Sequence, residues 1–461
     1  MPEKSNQPLP LSFRADLLKR VSADLRAGEC CSLVGTSGTG KSNVARFLQR
    51  HDVQKAYWSD DRSWIILIDS HSLVFDEGQK VEYTLTEMMI QRLIEEAKGR
   101  DFSPEFLTLA NESYNQLLAN SSFPSAMRTL QEICRRLCEQ HDLKLIFVFD
   151  QFDDLWQTLE TRFFLNLRNL RDQFKYHIVY LVMTRNRLER MRPNAQTVES
   201  FWELFSTHTY GLSPYNESDA ATMVERLAFR AEVPISEIPH EVVTLSGQHP
   251  AILRAIFWAF CNSPQESLRA DDLLKIPSVL KECEKVWNDL SPTEQHLVQI
   301  IAQQLPLRYP NTEALNDLRL KGIISSDPPT LFSPLFAAYV LQETQSNVSG
   351  VVVDPRLRQI WLDGQLLQEP LTPLEFGLLE YLTRHSGTVC KREDLLDALY
   401  SEEGPHGKAD QRLDALLSRL RKALGESAQK PRYLITHRGG GIQLLQGHIL
   451  NADSPHLPSS P

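Results

Sequence analysis

The chain has no apolar run near the roughly 20 residues that a membrane-spanning helix needs, and Met1 to Pro10 lacks the pattern of a secretory leader. Both absences point to a protein of the cytoplasm with no membrane partner. Cysteine is scarce: seven residues in 461, an odd number with no Cys-x-x-Cys pair. That count argues against a disulfide framework and against the usual zinc spacings. Cys134 and Cys138 stand four apart on an expected helix, without a His or Cys at ligand spacing, so packing is their expected role. Tandem repeats of helical or propeller type are also missing. What remains is the composition of a globular protein, 42% hydrophobic and 23% charged. Its length calls for about three or four domains.

The formal charge is −10, yet Pro405 to Gly441 holds eight Lys/Arg against three Asp/Glu, a local balance of +5 that leaves −15 for the rest. A basic patch confined to one end of an acidic chain requires its own account.

The richest stretch is Gly35-Thr36-Ser37-Gly38-Thr39-Gly40-Lys41-Ser42, which fills the phosphate-binding pattern GxxxxGK[ST]. A short buried strand, Glu29 to Val34, precedes it, and a helical pattern over Asn43 to Arg50 follows, as that pattern requires. Glycines let successive backbone N–H groups converge on phosphates, and the helix dipole adds to them. Lys41 is then placed to neutralise the β- and γ-phosphates, and the Ser42 hydroxyl to ligate Mg²⁺. ATP or ADP with Mg²⁺ is the expected ligand.

Further strands are expected at Trp64 to Asp69, Leu143 to Asp150, His177 to Met183 and Thr207 to Tyr210, giving a sheet of five. Helical patterns fill Thr84 to Lys98, Pro104 to Asn120 and Ser125 to His141. Asp150 ends an apolar strand, so its carboxylate is expected beside the phosphate loop, holding Mg²⁺ through water. The fold class that results is an α/β P-loop NTPase with a parallel sheet. A strand set between the two nucleotide-site elements marks the ASCE branch of such proteins, the one with an additional catalytic acid.

Asp150-Gln151-Phe152-Asp153-Asp154-Leu155 is similar to the second acidic motif of STAND ATPases, signalling relatives of AAA+ and origin-recognition ATPases. The resemblance implies that Met183-Thr184-Arg185 carries the residue that senses the γ-phosphate. It implies too that Gly247-Gln248-His249-Pro250 opens a lid helix with Pro250 near the adenine. Ser291 to Phe336 resembles the small winged helix that closes such modules. Gln151 stands where many AAA+ proteins have a catalytic glutamate, and Gln cannot accept a proton from water. Asp153, with Asp154 second, is the acid left, and its shorter reach implies slow hydrolysis or mainly nucleotide-gated switching. No arginine finger is assignable. Arg162, Arg168 and Arg171 fit a solvated helix face, and Arg254 fits a γ-phosphate contact or a surface role equally.

Beyond residue 350, alternating short strands lead into Leu371-Thr372-Pro373-Leu374-Glu375-Phe376, where Thr372 is the expected N-cap, Pro373 the first helical residue and Glu375 the partner in a capping box. Two more helices, Lys391 to Tyr400 and Ala409 to Leu424, and a hairpin over Arg432 to Leu445 follow. This order, with Ser418 to Leu424 and Thr436 to Ile442, resembles the OmpR/PhoB-type winged-helix DNA-binding domain. On the third helix Leu413, Leu417, Leu420 and Leu424 make a buried stripe. Arg412, Ala415, Ser418, Arg419 and Lys422 are left to face a major groove, with His437 and Arg438 on the wing beside the minor groove. Asp414 brings a negative charge near that groove.

The domain reading is an N-terminal segment 1–28, ATPase core 29–211, helical lid 212–283, ATPase-associated winged helix 284–346, DNA-binding winged helix 350–447 and a disordered tail 448–461. The leading function is a nucleotide-switched, DNA-binding regulator of transcription that forms homo-oligomers on double-stranded DNA in its ATP state; its signal is not written in the sequence, the sensor being either missing or supplied by a protein partner. A DNA-anchored remodelling or defence ATPase and a protein-scaffolding ATPase are the other readings.

Overall fold

The computed structural model describes residues 8–58, 62–70, 80–119, 121–192, 195–263, 268–305, 307, 311–325, 328–348, 350–355, 358–363, 365–367, 371–400, 409–437, 441–445 and 447–449. They fall in two compact units, Met1–Tyr339 and Val340–Pro461. No helix among them is long and apolar enough to cross a membrane.

The first unit is built on β1 (Cys31–Val34), β2 (Ser63–Asp69), β3 (Lys144–Asp150), β4 (Ile178–Thr184) and β5 (Thr209–Gly211), all parallel, in the order β2-β3-β4-β1-β5. Strands β1, β3 and β4 are buried almost throughout. Helices cover both faces, which is why these strands read as continuous apolar runs rather than alternating ones. Strand β4 is interposed between β1 and β3, so the strand His177 to Met183 is the one that separates the phosphate loop from the acidic strand. All five strands run the same way, and the carboxyl ends of β1, β3 and β4 deliver Gly35, Asp150 and Arg185 to one edge.

The segment 1–28, expected only as a segment, contains a helix, Ala15–Ala27, whose Leu17, Leu18, Val21 and Leu25 are buried. Gly28 ends it at φ 87°, and a Cβ there would lie 2.8 Å from Tyr176. Cys134 and Cys138 are buried and free, so packing is their role in this fold.

Helices Glu217–Ala231, Glu241–Ser246, Pro250–Asn262 and Pro277–Asn288 come after the sheet. Helices Pro292–Ala302 and Thr312–Leu320, a β-bridge between Ile324 and Leu331, and helix Pro334–Val348 follow. Ser291 and Glu294 make a reciprocal capping box at the start of the first of these helices. Glu294 also meets Lys321 at 2.6 Å, both side chains buried.

In the second unit β6 (Val351–Asp354), β7 (Gln359–Leu362) and β8 (Gln365–Leu366) are antiparallel. Helix Pro373–Arg384, β9 (Val389–Cys390), helices Arg392–Tyr400 and Ala409–Ala423, and the hairpin of β10 (Leu434–Thr436) with β11 (Ile442–Leu444) follow. A last strand, β12 (Gly447–Ile449), returns to pair with β6 in parallel. Leu413, Leu417, Leu420 and Leu424 are buried in one core with Phe376, Leu379, Tyr433 and Ile442. Thr372 and Glu375 form the expected capping box, Glu375 N–H donating to Thr372 Oγ1 at 3.4 Å and Thr372 N–H to Glu375 Oε2 at 2.8 Å.

Candidate functional site

The loop between β1 and helix Lys41–Leu48 bends where glycine is needed. Gly38 and Gly40 have φ of 82° and 96°, and a Cβ on Gly38 would stand 2.5 Å from the Ala251 side chain. The start of helix Pro250–Asn262 therefore packs directly on the phosphate loop. Gly35, Thr36 and Thr39 frame the loop from below, with the Thr39 hydroxyl donating to Thr36 O at 2.8 Å. Ser37, Gly38, Gly40, Lys41, Ser42 and Pro250 face a cavity of about 490 Å³, closed on the other side by Gln151, Asp153, Asp154, Arg185, Tyr215 and Arg254.

Lys41 Nζ turns back onto the loop, donating to Gly35 O at 2.5 Å and Thr36 O at 3.2 Å. Burial pulls its pKa below the usual lysine range, the nearby Asp153 and Asp289 acting against that. Asp150 ends β3 with Oδ1 buried and without a hydrogen-bond partner among the described residues. Burial raises its pKa, and a hydrogen bond with Ser42 opposes the rise. A buried anion beside a hydroxyl and a half-buried cation beside carbonyls are groups whose charges phosphate and a metal ion would balance. These residues fit a nucleotide with Mg²⁺: Lys41 and the loop N–H groups for the phosphates, Ser42 and Asp150 for the metal.

The acidic motif meets the loop that follows β4. Asp153 is buried and its Oδ1 accepts from the Arg185 backbone N–H at 2.8 Å, with Arg185 Nε at 3.3 Å. Asp153 is thereby paired with Arg185. Asp154 is exposed, 3.6 Å from Arg185. Burial works to lower the Arg185 pKa, and Asp153, Asp289 and Asp154 outweigh it and raise it.

Two parts of the site were not legible in the sequence. Arg14, in a left-handed conformation at φ 48°, sends NH2 to Thr39 O and NH1 to Ser213 O, both at 2.9 Å, and its guanidinium lies 4.7 Å from the Tyr215 ring centre. Its backbone N–H reaches the Asp219 carboxylate, 205 residues away. Asp289, at the end of helix Pro277–Asn288, accepts from the Ser37 N–H at 2.5 Å. His249 is buried beside Gly38, neither ring nitrogen has a hydrogen-bond partner among the described residues, and burial pulls its pKa down to about 3.

In the second unit Arg412, Ala415, Ser418, Arg419 and Lys422 share the exposed side of helix Ala409–Ala423. Arg421 turns inward, donating to Leu434 O at 3.1 Å and Thr436 Oγ1 at 2.9 Å, and so ties this helix to the hairpin. Asp414 is paired with Arg392 at 2.6 Å, which offsets the negative charge expected near a groove. His437 is held by the hairpin, its N–H on Gly441 O and its ring 2.7 Å from Gln443 Oε1. Arg438 lies outside the described residues.

The family model described as "Transcriptional regulatory protein, C terminal" matches residues 368–444. The probable transcriptional regulator ycf27 of Guillardia theta is 32% identical over 119 residues, 25% of this chain and 46% of that protein. The chain thus spans about half the length of that relative. The RstA DNA-binding domain of Klebsiella pneumoniae, solved with RstA box, is 31% identical over 20% of this chain and 89% of its own, at a TM-score of 0.19. A Walker-type ATPase of Pyrococcus abyssi is 16% identical over 71% of this chain and 95% of its own, at a TM-score of 0.44. The class of the core rests on its strand order and phosphate loop. The chain therefore carries a domain that matches the transcriptional-regulatory C-terminal family at residues 368–444, preceded by a parallel-sheet core with a phosphate-binding loop.

Proposed function

We propose that this protein is a nucleotide-switched, DNA-binding regulator of transcription. The observation that carries the reading is the presence on one chain of a complete phosphate loop, with Lys41 turned back onto its own loop carbonyls and Asp150 Oδ1 buried without a hydrogen-bond partner among the described residues, and a transcriptional-regulatory winged helix with Arg412, Ser418, Arg419 and Lys422 exposed. Mg²⁺ and ATP are held by Lys41, Ser42, Asp150 and the loop N–H groups. The nucleotide supplies phosphate charge that stabilises one conformation of the ATPase unit over another. Arg185 senses the terminal phosphate. Because Asp153 is occupied by Arg185 and Gln151 cannot take a proton, hydrolysis is slow and resets the switch rather than driving work.

One winged helix offers few base contacts, so specificity arises when several copies bind together. ATP-dependent self-association supplies that avidity, and a protein partner supplies the signal. The test is the mass of the full chain in solution with ATP, ADP or no nucleotide, each with and without duplex DNA. Assembly on DNA only with ATP supports the reading. A monomer in every condition, or turnover strongly stimulated by DNA without sequence preference, contradicts it.

A further inference from the structure

Asp289 is 7% exposed and sits at the end of helix Pro277–Asn288, where the lid gives way to the small winged helix. Its carboxylate reaches back 252 residues to the phosphate loop, accepting from the Ser37 N–H at 2.5 Å. Its other oxygen lies 3.8 Å from Arg185 NH1. The two groups it engages, a loop N–H and the cation after β4, are those that an anionic ligand of this pocket would seek.

The loop after β4 grips the winged helix as well. Asn186 Nδ2 donates to Asp289 O at 3.0 Å, and Arg187 meets Asp317 of helix Thr312–Leu320 at 2.7 Å. Arg190 pairs with Glu313 and lies 3.6 Å from Asp317. Residues 185–190 thus hold the acidic motif through Asp153 and the winged helix through Asp289 and Asp317.

We infer that Asp289 is an internal competitor for the phosphate loop, a latch that opposes triphosphate binding and is displaced by it, loosening the winged helix from the loop after β4. This rests on the reading of the cavity as the nucleotide site. A carboxylate beside Ser37 repels the more highly charged ligand more strongly, at short range and out of bulk water. Asp289 therefore sets the preference between ATP and ADP as well as the state of the winged helix. Two negative groups cannot both hold the same N–H, so the latch and the terminal phosphate exclude each other.

The test uses the full chain with Asp289→Ala and Asp289→Asn, the second keeping size and an acceptor while removing the charge. Hydrogen exchange without nucleotide reads the latch, and calorimetry with ATP·Mg²⁺ and ADP·Mg²⁺ reads the competition. The expected results for Asp289→Ala are faster exchange at Ser37 and across Thr312–Leu320, ATP affinity raised about tenfold, and ADP affinity raised less than about threefold. Asp289→Asn should show the affinity gains with smaller exchange changes. Unchanged exchange at Ser37, or an equal effect on ATP and ADP in both variants, overturns the latch. Wild-type protein that binds no ATP counts against the nucleotide reading; recovery of binding in Asp289→Ala would then support the latch, and its failure there would overturn the latch too.

Discussion

Burial makes Lys41 and Asp150 each a poorer carrier of its charge, one pushed toward the free amine and the other toward the acid. Phosphate and Mg²⁺ are the groups that reverse both shifts, which is the strongest single-residue argument for the site. Replacing Lys41 with Ala should weaken ATP binding by about 100-fold or more, as loss of a charge-assisted contact in a dry pocket. Titration calorimetry checks it, and an unaltered affinity would displace the site. His249 gives a different readout. Its pKa is about 3 in the fold against about 6.5 in an unfolded chain, so the unfolded state binds the proton first. Its contribution is whole above pH of about 6.5 and is lost progressively as pH falls toward about 3. His249→Gln should flatten that part of the stability profile of the first unit, measured by denaturant unfolding across pH. An identical slope in the variant would mean that His249 is not buried neutral.

Elements whose causes are local were legible. The phosphate loop needs only its glycines, and the helix at Pro373 needs only Thr372, Pro373 and Glu375 within four residues. The Leu413, Leu417, Leu420 and Leu424 stripe and the outward set of Arg412, Ser418, Arg419 and Lys422 follow from helical period alone. What escaped depends on partners far along the chain. Asp289 on Ser37, Arg14 on Asp219, Asp414 on Arg392 and the parallel return of β12 to β6 carry no mark in a window of sequence. The sequence offers Asp153 as the acid left once Gln151 is set aside, but gives no sign that it meets Arg185. Two expectations belong to single elements. Thr372→Ala should cost about 1 kcal/mol of stability in the second unit through the lost cap, read from its unfolding midpoint; no change would mean the box is ornamental. Arg419→Ala should weaken duplex binding by about 1–3 kcal/mol and lower the salt dependence if Arg419 meets phosphate. A filter-binding series in salt checks this, and unchanged affinity would move the contact to another side chain.

At the scale of the whole molecule, the acidic balance of the chain and the basic patch near its end are parts of one design. An overall charge of −10 disfavours casual contact with DNA. Under the proposed function, the exposed cations of helix Ala409–Ala423 act with effect when several copies are held together. On the proposed reading, assembly rather than the strength of a single winged helix is the point of control. The chain's two units would be linked thermodynamically through whatever state of assembly the nucleotide favours.

The most direct measurement is the affinity of the full chain for a duplex selected from a random library, determined at fixed salt with ATP·Mg²⁺, with ADP·Mg²⁺ and with no nucleotide. Binding at least about tenfold tighter with ATP than in the other two conditions is the predicted result. Equal affinity in all three would contradict the account.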